Sequence, residues 1–144
     1  MQLGFNDDVR SSTAAARVSA ARLGAAEIEP RHLLLGVLRG GESGAERVLS
    51  ACGTDVETLR RQVGGELASD QAELARADIP YTAAAQRTMM FSMDEACQLA
   101  STHVGSEHML LGILRVGGPA ADVLLGAGLT LDRLRRQISH ASRE

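Results

Sequence analysis

The side chains in this sequence that could do chemistry are four histidines, two cysteines and a scatter of serines and carboxylates. His32 and His108 stand at matching places in two copies of one motif. A metal site at either would want His-x-x-x-His, or a cysteine at ligand spacing, and neither occurs. Both read as structural histidines that hydrogen-bond a neighbouring helix end. His103 and His140 match nothing and read as surface residues. Ser106, His108 and Asp94 are the types a Ser/His/Asp hydrolase uses, but no Gly-x-Ser-x-Gly elbow accompanies them. Ser106 therefore reads as a helix cap and Asp94-Glu95 as a solvated helix face. No Gly-rich loop is followed by Lys-Ser/Thr, so there is no phosphate cradle of the ATPase kind. All fifteen basic residues are Arg, which excludes Schiff-base and lysine-nucleophile chemistry. Cys52 and Cys97 are too few for a disulfide framework or a metal quartet and read as small buried hydrophobes. Taken together the residues describe a protein that is not an enzyme, with no metal and no cofactor.

The elements that position these residues follow from an internal repeat. His32-Leu33-Leu34-Leu35-Gly36-Val37-Leu38-Arg39 recurs as His108-Met109-Leu110-Leu111-Gly112-Ile113-Leu114-Arg115, an offset of 76. The same offset pairs Phe5 with Tyr81, Asn6 with Thr82, Leu23 with Leu99 and Ile28 with Val104. Leu59-Arg60-Arg61-Gln62-Val63 recurs as Leu134-Arg135-Arg136-Gln137-Ile138 at an offset of 75, so one residue is lost in a loop between. Each copy reads as four helices. The first runs from about Asn6 to Leu23, and its mate from Thr82 to Ala100, each behind a capping side chain. The second follows Glu29-Pro30, or Ser106, and ends near Gly40-Gly41 or Gly117-Gly118. A short third spans roughly Gly44 to Ala51, or Ala120 to Ala127, closed by Gly53 or Gly128. The fourth follows Thr54-Asp55, or Thr130, and carries the Arg pair, whose charges suit a helix C-terminus.

Composition agrees. Apolar residues are 44% and aromatics 2%, so the core must be aliphatic and small, which suits close-packed helices more than strands. The expected fold is all-α: two tandem pseudo-symmetric four-helix repeats, eight helices, in one domain over 1–144. Repeat one covers 1–65 and repeat two 80–144. Between them 66–79 is a polar linker, partly helical through Glu66–Ala75. The net charge of −3 argues against a nucleic-acid partner. No apolar run reaches the roughly 18–20 residues of a membrane span, and the opening Met1-Gln2-Leu3-Gly4 has no secretory pattern. The expected location is cytoplasmic.

At the repeated motifs the chain resembles a known family. Val104-Gly105-Ser106-Glu107-His108-Met109-Leu110-Leu111-Gly112-Ile113-Leu114-Arg115 is similar to the "VGTEHILLGLIRE" signature of Clp N-terminal domains. Phe91-Ser92-Met93-Asp94-Glu95-Ala96 resembles the "ELSMDEA" segment of C-type Clp ATPases, and Ile79-Pro80-Tyr81-Thr82 their "I-x-(Y/F)-T-P" entry to the fifth helix. Gly4-Phe5-Asn6 is similar to their "RFT" start. The likeness runs from Phe5 to Ile138. It implies a non-catalytic module that docks protein or peptide partners of the Clp system: adaptors, tagged substrates or a Clp ATPase. In C-type members it also implies phosphoarginine binding, with a Glu of each "TEH" triplet on the guanidinium and a helix start holding the phosphate.

Carried over by position, the resemblance places the ligand site in repeat two, with Glu107 as the carboxylate and Thr82 as the capping hydroxyl. Repeat one reads as degenerate, because Arg31 replaces the acid and Asn6 the capping Thr. The fifth helix reads Thr82-Ala83-Ala84-Ala85-Gln86-Arg87 in place of "TPRAKK". The chain ends at Glu144 without an AAA+ module. It is thus expected to be a stand-alone decoy, adaptor or regulator of proteolysis, or else the N-terminal fragment of a full-length Clp ATPase. A different expectation is a small-molecule or drug-sequestering protein that uses the groove between the repeats.

Overall fold

The computed structural model describes residues 4–64 and 79–142. Eight helices stand among them: α1 (Asp7–Arg22), α2 (Pro30–Val37), α3 (Gly44–Ala51), α4 (Val56–Val63), α5 (Ala83–Gln98), α6 (Ser106–Val116), α7 (Pro119–Gly126) and α8 (Leu131–Ser142). The only extended pairings among the described residues are two isolated parallel bridges. The all-α repeat architecture expected from the 76-residue register is therefore present. The partial helix expected over Glu66–Ala75 lies outside the described residues.

Local chemistry explains where the helices begin. Asn6 Oδ1 accepts the Val9 N–H at 3.0 Å, and Thr82 Oγ1 accepts the Ala85 N–H at 3.1 Å, so each caps its own first turn. At the starts of α2 and α6 the cap works in the other direction. His32 Nδ1 accepts the Glu29 N–H, and His108 Nδ1 the Gly105 N–H, both at 2.9 Å. The histidines thus stand three residues into their helices, in the place of a capping-box acid. They tie their own helix starts, whereas the sequence suggested a neighbouring helix end. Ser43 and Glu46 form the reciprocal box of α3. Gly53 and Gly128 follow α3 and α7, both at φ +80°, where a left-handed residue is needed.

The motif helices are the centre of the molecule. Residues 32–37 of α2, and Ser106 and residues 108–113 of α6, are all buried, the mark of helices enclosed on almost every side. Leu34, Leu110 and Leu111 are fully buried and Leu35 nearly so. α1 packs on α2 and α5 on α6, and α2 and α6 meet between the repeats. The close approach within each pair needs the motif glycine. A Cβ on Gly36 would fall on the Ser12 carbonyl oxygen, and one on Gly112 on the Thr88 carbonyl and Ser92 Oγ.

Three sequence readings change. Glu95 is not on a solvated face: it is 1% exposed. Its carboxylate takes a fork of two hydrogen bonds from Arg135, at 2.9 and 2.8 Å, and one from Arg115 at 3.1 Å. Arg135 accordingly serves an ion pair between helices, which periodicity along one helix could not reveal. Cys97 is exposed, and Cys52 is only half-buried, packed against the edge of the core, so neither is the fully buried hydrophobe expected.

Candidate functional site

The two repeats exchange their entry segments. Asn6 N–H donates to the Val104 carbonyl and Val104 N–H to the Gly4 carbonyl, both at 3.0 Å. Symmetrically, Ile28 N–H donates to the Pro80 carbonyl at 2.8 Å and Thr82 N–H to the Ile28 carbonyl at 3.0 Å. The start of α1 is therefore stitched to the start of α6, and the start of α5 to the start of α2. Two clefts result, each built from both repeats.

The first cleft, about 360 Å³, is lined by the start of α1 (Asn6, Asp7, Asp8), by Glu107, and by the loop and first turn leading into α3 (Glu42, Ser43, Gly44). The second, about 320 Å³, joins Thr82 and Ala84 of α5 to Glu29, Pro30 and Arg31 and to Gly118–Ala120 at the start of α7. Glu107 thus sits with Asn6, and Thr82 with Arg31. The pairing of Glu107 with Thr82 in repeat two, and of Arg31 with Asn6 in repeat one, is corrected by the exchanged segments. Offsets within one repeat carry no information about which repeat supplies a neighbour.

The clefts differ in charge. In the first, Asp7, Asp8, Glu42 and Glu107 face Arg39 and Arg47, a surplus of carboxylate. The Glu107 carboxylate lies over the first residue of α3, since a Cβ on Gly44 would come within 2.7 Å of its Oε1. Glu107 is half-buried and has no ion pair among the described residues. In the second cleft the acid position holds Arg31, whose contact with Glu29 is long, 3.5 Å, and partly exposed. Such a pair adds little.

Asp8 was not singled out from the sequence and Ser106 only as a helix cap, yet together they decide what the first cleft can hold. Asp8 Oδ2 accepts from Ser106 Oγ at 2.5 Å and from the Gly44 N–H at 3.0 Å, and Oδ1 accepts from Arg39 at 2.7 Å. Ser106 Oγ in turn accepts the Ala45 N–H at 2.8 Å. Ser106 is therefore a cap, but of α3 and not of its own helix. Burial alone would raise the Asp8 carboxyl, but hydrogen bonds from Ser106, Arg39 and Gly44, with the Arg39 charge, hold it below the ordinary range. The N–H groups at the start of α3, the natural seat of a phosphate, are already occupied: Gly44 by the Asp8 carboxylate, Ala45 by the Ser106 hydroxyl and Glu46 by the Ser43 hydroxyl. In the second cleft the same positions are Ala84 and Pro30, which offer no such anion. The 76-residue register could have flagged these two differences. It could not show that they meet across the repeats.

The hydrolase arrangement is not assembled. His108 spends Nδ1 on Gly105 and Nε2 on Ser101 Oγ at 3.0 Å, and Asp94 pairs with Arg115 at 2.6 Å. No cluster of three potential metal-binding side chains occurs among the described residues.

Comparison with known proteins agrees with this geometry. The profile of the Clp repeat (R) N-terminal domain matches residues 4–127. The Bacillus subtilis negative regulator of genetic competence ClpC/MecB is 38% identical over 135 residues, 93% of this chain and 16% of its own length. The chaperone protein ClpB of Oceanobacillus iheyensis is 35% identical over the same shares. The chain thus spans about a sixth of these relatives. Among solved structures, the N-terminal domain of the chaperone ClpD from Arabidopsis thaliana superposes with a TM-score of 0.70 at 18% identity, covering 97% of this chain and 95% of that one. The Candida albicans Hsp104 N-terminal domain gives 0.70 at 17% identity, covering 93% and 88%, and a chain from a malarial protein secretion system 0.76 at 16%, covering 96% and 93%. At these identities the structures speak for the fold alone, while the sequence match speaks for kinship: this chain belongs to the Clp repeat N-terminal domain family.

Proposed function

We propose that this chain is a non-catalytic recognition module that binds adaptors or substrates of the Clp unfoldase system, acting as a decoy, adaptor or regulator of proteolysis in the cytoplasm. Its family is involved in adaptor and substrate recognition in Clp ATPases. The observation that carries the finer reading is Glu107, an unpaired, half-buried carboxylate in a cleft with excess negative charge. That cleft suits the guanidinium of a partner's arginine. Phosphoarginine, the ligand implied by the family resemblance, is less well served there, because Asp8 holds the helix start where its phosphate would go. The second cleft has the opposite bias: Arg31 repels a guanidinium, while Ala84 in place of Asp8 sets no carboxylate from α5 against the start of α7.

Calorimetry tests this reading with two short capped peptides, one containing arginine and one phosphoarginine. The arginine peptide is expected to bind one equivalent, and phosphorylation is expected not to tighten it. A guanidinium–carboxylate contact contributes about 1.5–3 kcal/mol, so Glu107→Gln should weaken binding roughly ten- to a hundredfold. Arg31→Glu places an acid beside Thr82 and the start of α7 and should add a second equivalent for phosphoarginine. Two equivalents on the unaltered chain, or affinity indifferent to Glu107→Gln, would overturn the assignment.

A further inference from the structure

Because the repeats keep register over most of their length, with one residue lost in a loop, the helical positions of one have counterparts in the other, and at one place the two differ by a cavity. In repeat two, Arg135 and Arg115 together hold the buried Glu95 carboxylate, and the Arg115 guanidinium carbon lies 4.3 Å from the centre of the Phe91 ring. A ring, a carboxylate and two guanidiniums form a closed unit among α5, α6 and α8. Repeat one keeps both cations, as Arg39 and Arg60, but has Ala15 in place of Phe91 and Ser19 in place of Glu95. There the structure has a cavity of about 360 Å³ whose wall includes Ala15, Ser19, Leu35, Arg39 and Arg60. It lies where the missing ring and carboxylate would be.

The retained arginines have made other arrangements. Arg60 donates to the Leu38 carbonyl and pairs with the exposed Glu57, and Arg39 turns to Asp8 and Ser12. Of the residues lining the cavity Arg22, Arg39 and Arg60 are cationic and only Glu57 is acidic, while Arg39 reaches Asp8 at 2.7 Å and Arg60 a further carboxylate, Glu46, at a long 3.9 Å. A guanidinium resting on a neutral carbonyl gains from exchanging it for a carboxylate, since charge-assisted bonds are about twice as strong. Val18 and Leu35 supply apolar wall, and a ring set against Arg39 would repeat the cation–π contact of Arg115.

We propose that this cavity binds an aromatic carboxylate, presented as the C-terminal residue of a peptide. The ring takes the space above Ala15 that Phe91 fills in repeat two. The chain-end carboxylate takes the space beside Ser19 that Glu95 fills, within reach of Arg60. A terminal phenylalanine carries both groups on one residue, short enough to meet neighbouring guanidiniums. At the rim Arg22, Leu23 and Gly64 are exposed, so the preceding main chain can run outward. The site is built within repeat one and does not rest on the reading of Glu107.

Calorimetry on the full chain tests it with acetyl-Ala-Ala-Phe as the free acid, the same peptide as its amide, and acetyl-Ala-Ala-Ala acid. The phenylalanine acid is expected to bind one equivalent. The amide and the alanine peptide should each be weaker by about tenfold or more, the loss of one charged or aromatic contact. The double variant Ala15→Phe/Ser19→Glu rebuilds the filling of repeat two, so it should abolish binding without lowering the melting temperature. Arg60→Gln should weaken the acid and leave the already weak amide unchanged, and Glu107→Gln should change neither. Equal binding of acid and amide, undiminished binding by the filled variant, or no binding of the acid at millimolar concentration would overturn the proposal.

Discussion

Ala25→Ser should stabilise the protein, because it supplies a partner that repeat two has and repeat one lacks. His108 Nε2 meets Ser101 Oγ at 3.0 Å, while its counterpart His32 Nε2 is buried with no partner among the described residues. The two sites are otherwise alike. Ala25 and Ser101 follow α1 and α5 in the same turn, with N–H bonds to the Ala20 and Ala96 carbonyls at 2.9 Å each. Since Nδ1 of His32 accepts the Glu29 N–H, the proton of the neutral ring sits on Nε2 as a buried, unmatched donor. An unmatched buried group costs about 1–3 kcal/mol, and a hydrogen bond made contributes about 0.5–1.5 kcal/mol net. Ala25→Ser should therefore gain about 1 kcal/mol, after the small cost of fixing one hydroxyl rotor. Ser101→Ala, which creates the same orphan in repeat two, should lose about 1–3 kcal/mol. Urea unfolding followed by circular dichroism measures both, with melting shifts of roughly 2–4 °C per kcal/mol. The buried ring also makes stability pH-dependent. Burial lowers the His32 pKa from 6.5, as does the Arg31 charge, against Glu29. A folded value below the unfolded one means stability is complete above 6.5 and is lost as pH falls through the folded value. A destabilised Ala25→Ser, or a Ser101→Ala that costs nothing, would refute the reasoning.

Leu111→Ala should cost about 2–5 kcal/mol by denaturant unfolding, and a loss under about 1 kcal/mol would mean that the motif helix is not enclosed. Gly112→Ala should cost about 1–3 kcal/mol, since its Cβ would fall on the Thr88 carbonyl and Ser92 Oγ. Tolerance within about 0.5 kcal/mol, the range of an inert surface change, would mean that α5 and α6 do not touch there. Asp8, held below its ordinary 3.8, contributes stability that is complete above that value and is lost as pH falls through the lower folded one. Asp8→Asn should flatten that part of the acid unfolding profile, and an unchanged profile would show that Ser106, Arg39 and Gly44 do not favour the charged carboxyl.

By itself the sequence determined the helices, the caps of α1 and α5, the duplication and the buried motif. Those features are local or periodic: Asn6 and Thr82 cap residues three places on, and the His-Leu-Leu-Leu-Gly run is apolar all round. It also determined the family, because two motif copies keep register over most of the chain. Only the tertiary structure decided who faces whom. The entry segments pair across the repeats, so Glu107 shares a cleft with Asn6 and Thr82 with Arg31, the opposite of what sequence adjacency suggests. Ser106 caps a helix 61 residues away, and Glu95 is buried by an arginine 40 residues on. A carboxylate reads as solvated until a distant guanidinium is known to reach it. Pair energies depend on distances between chain segments, and the pattern of residue types along one segment does not contain those distances.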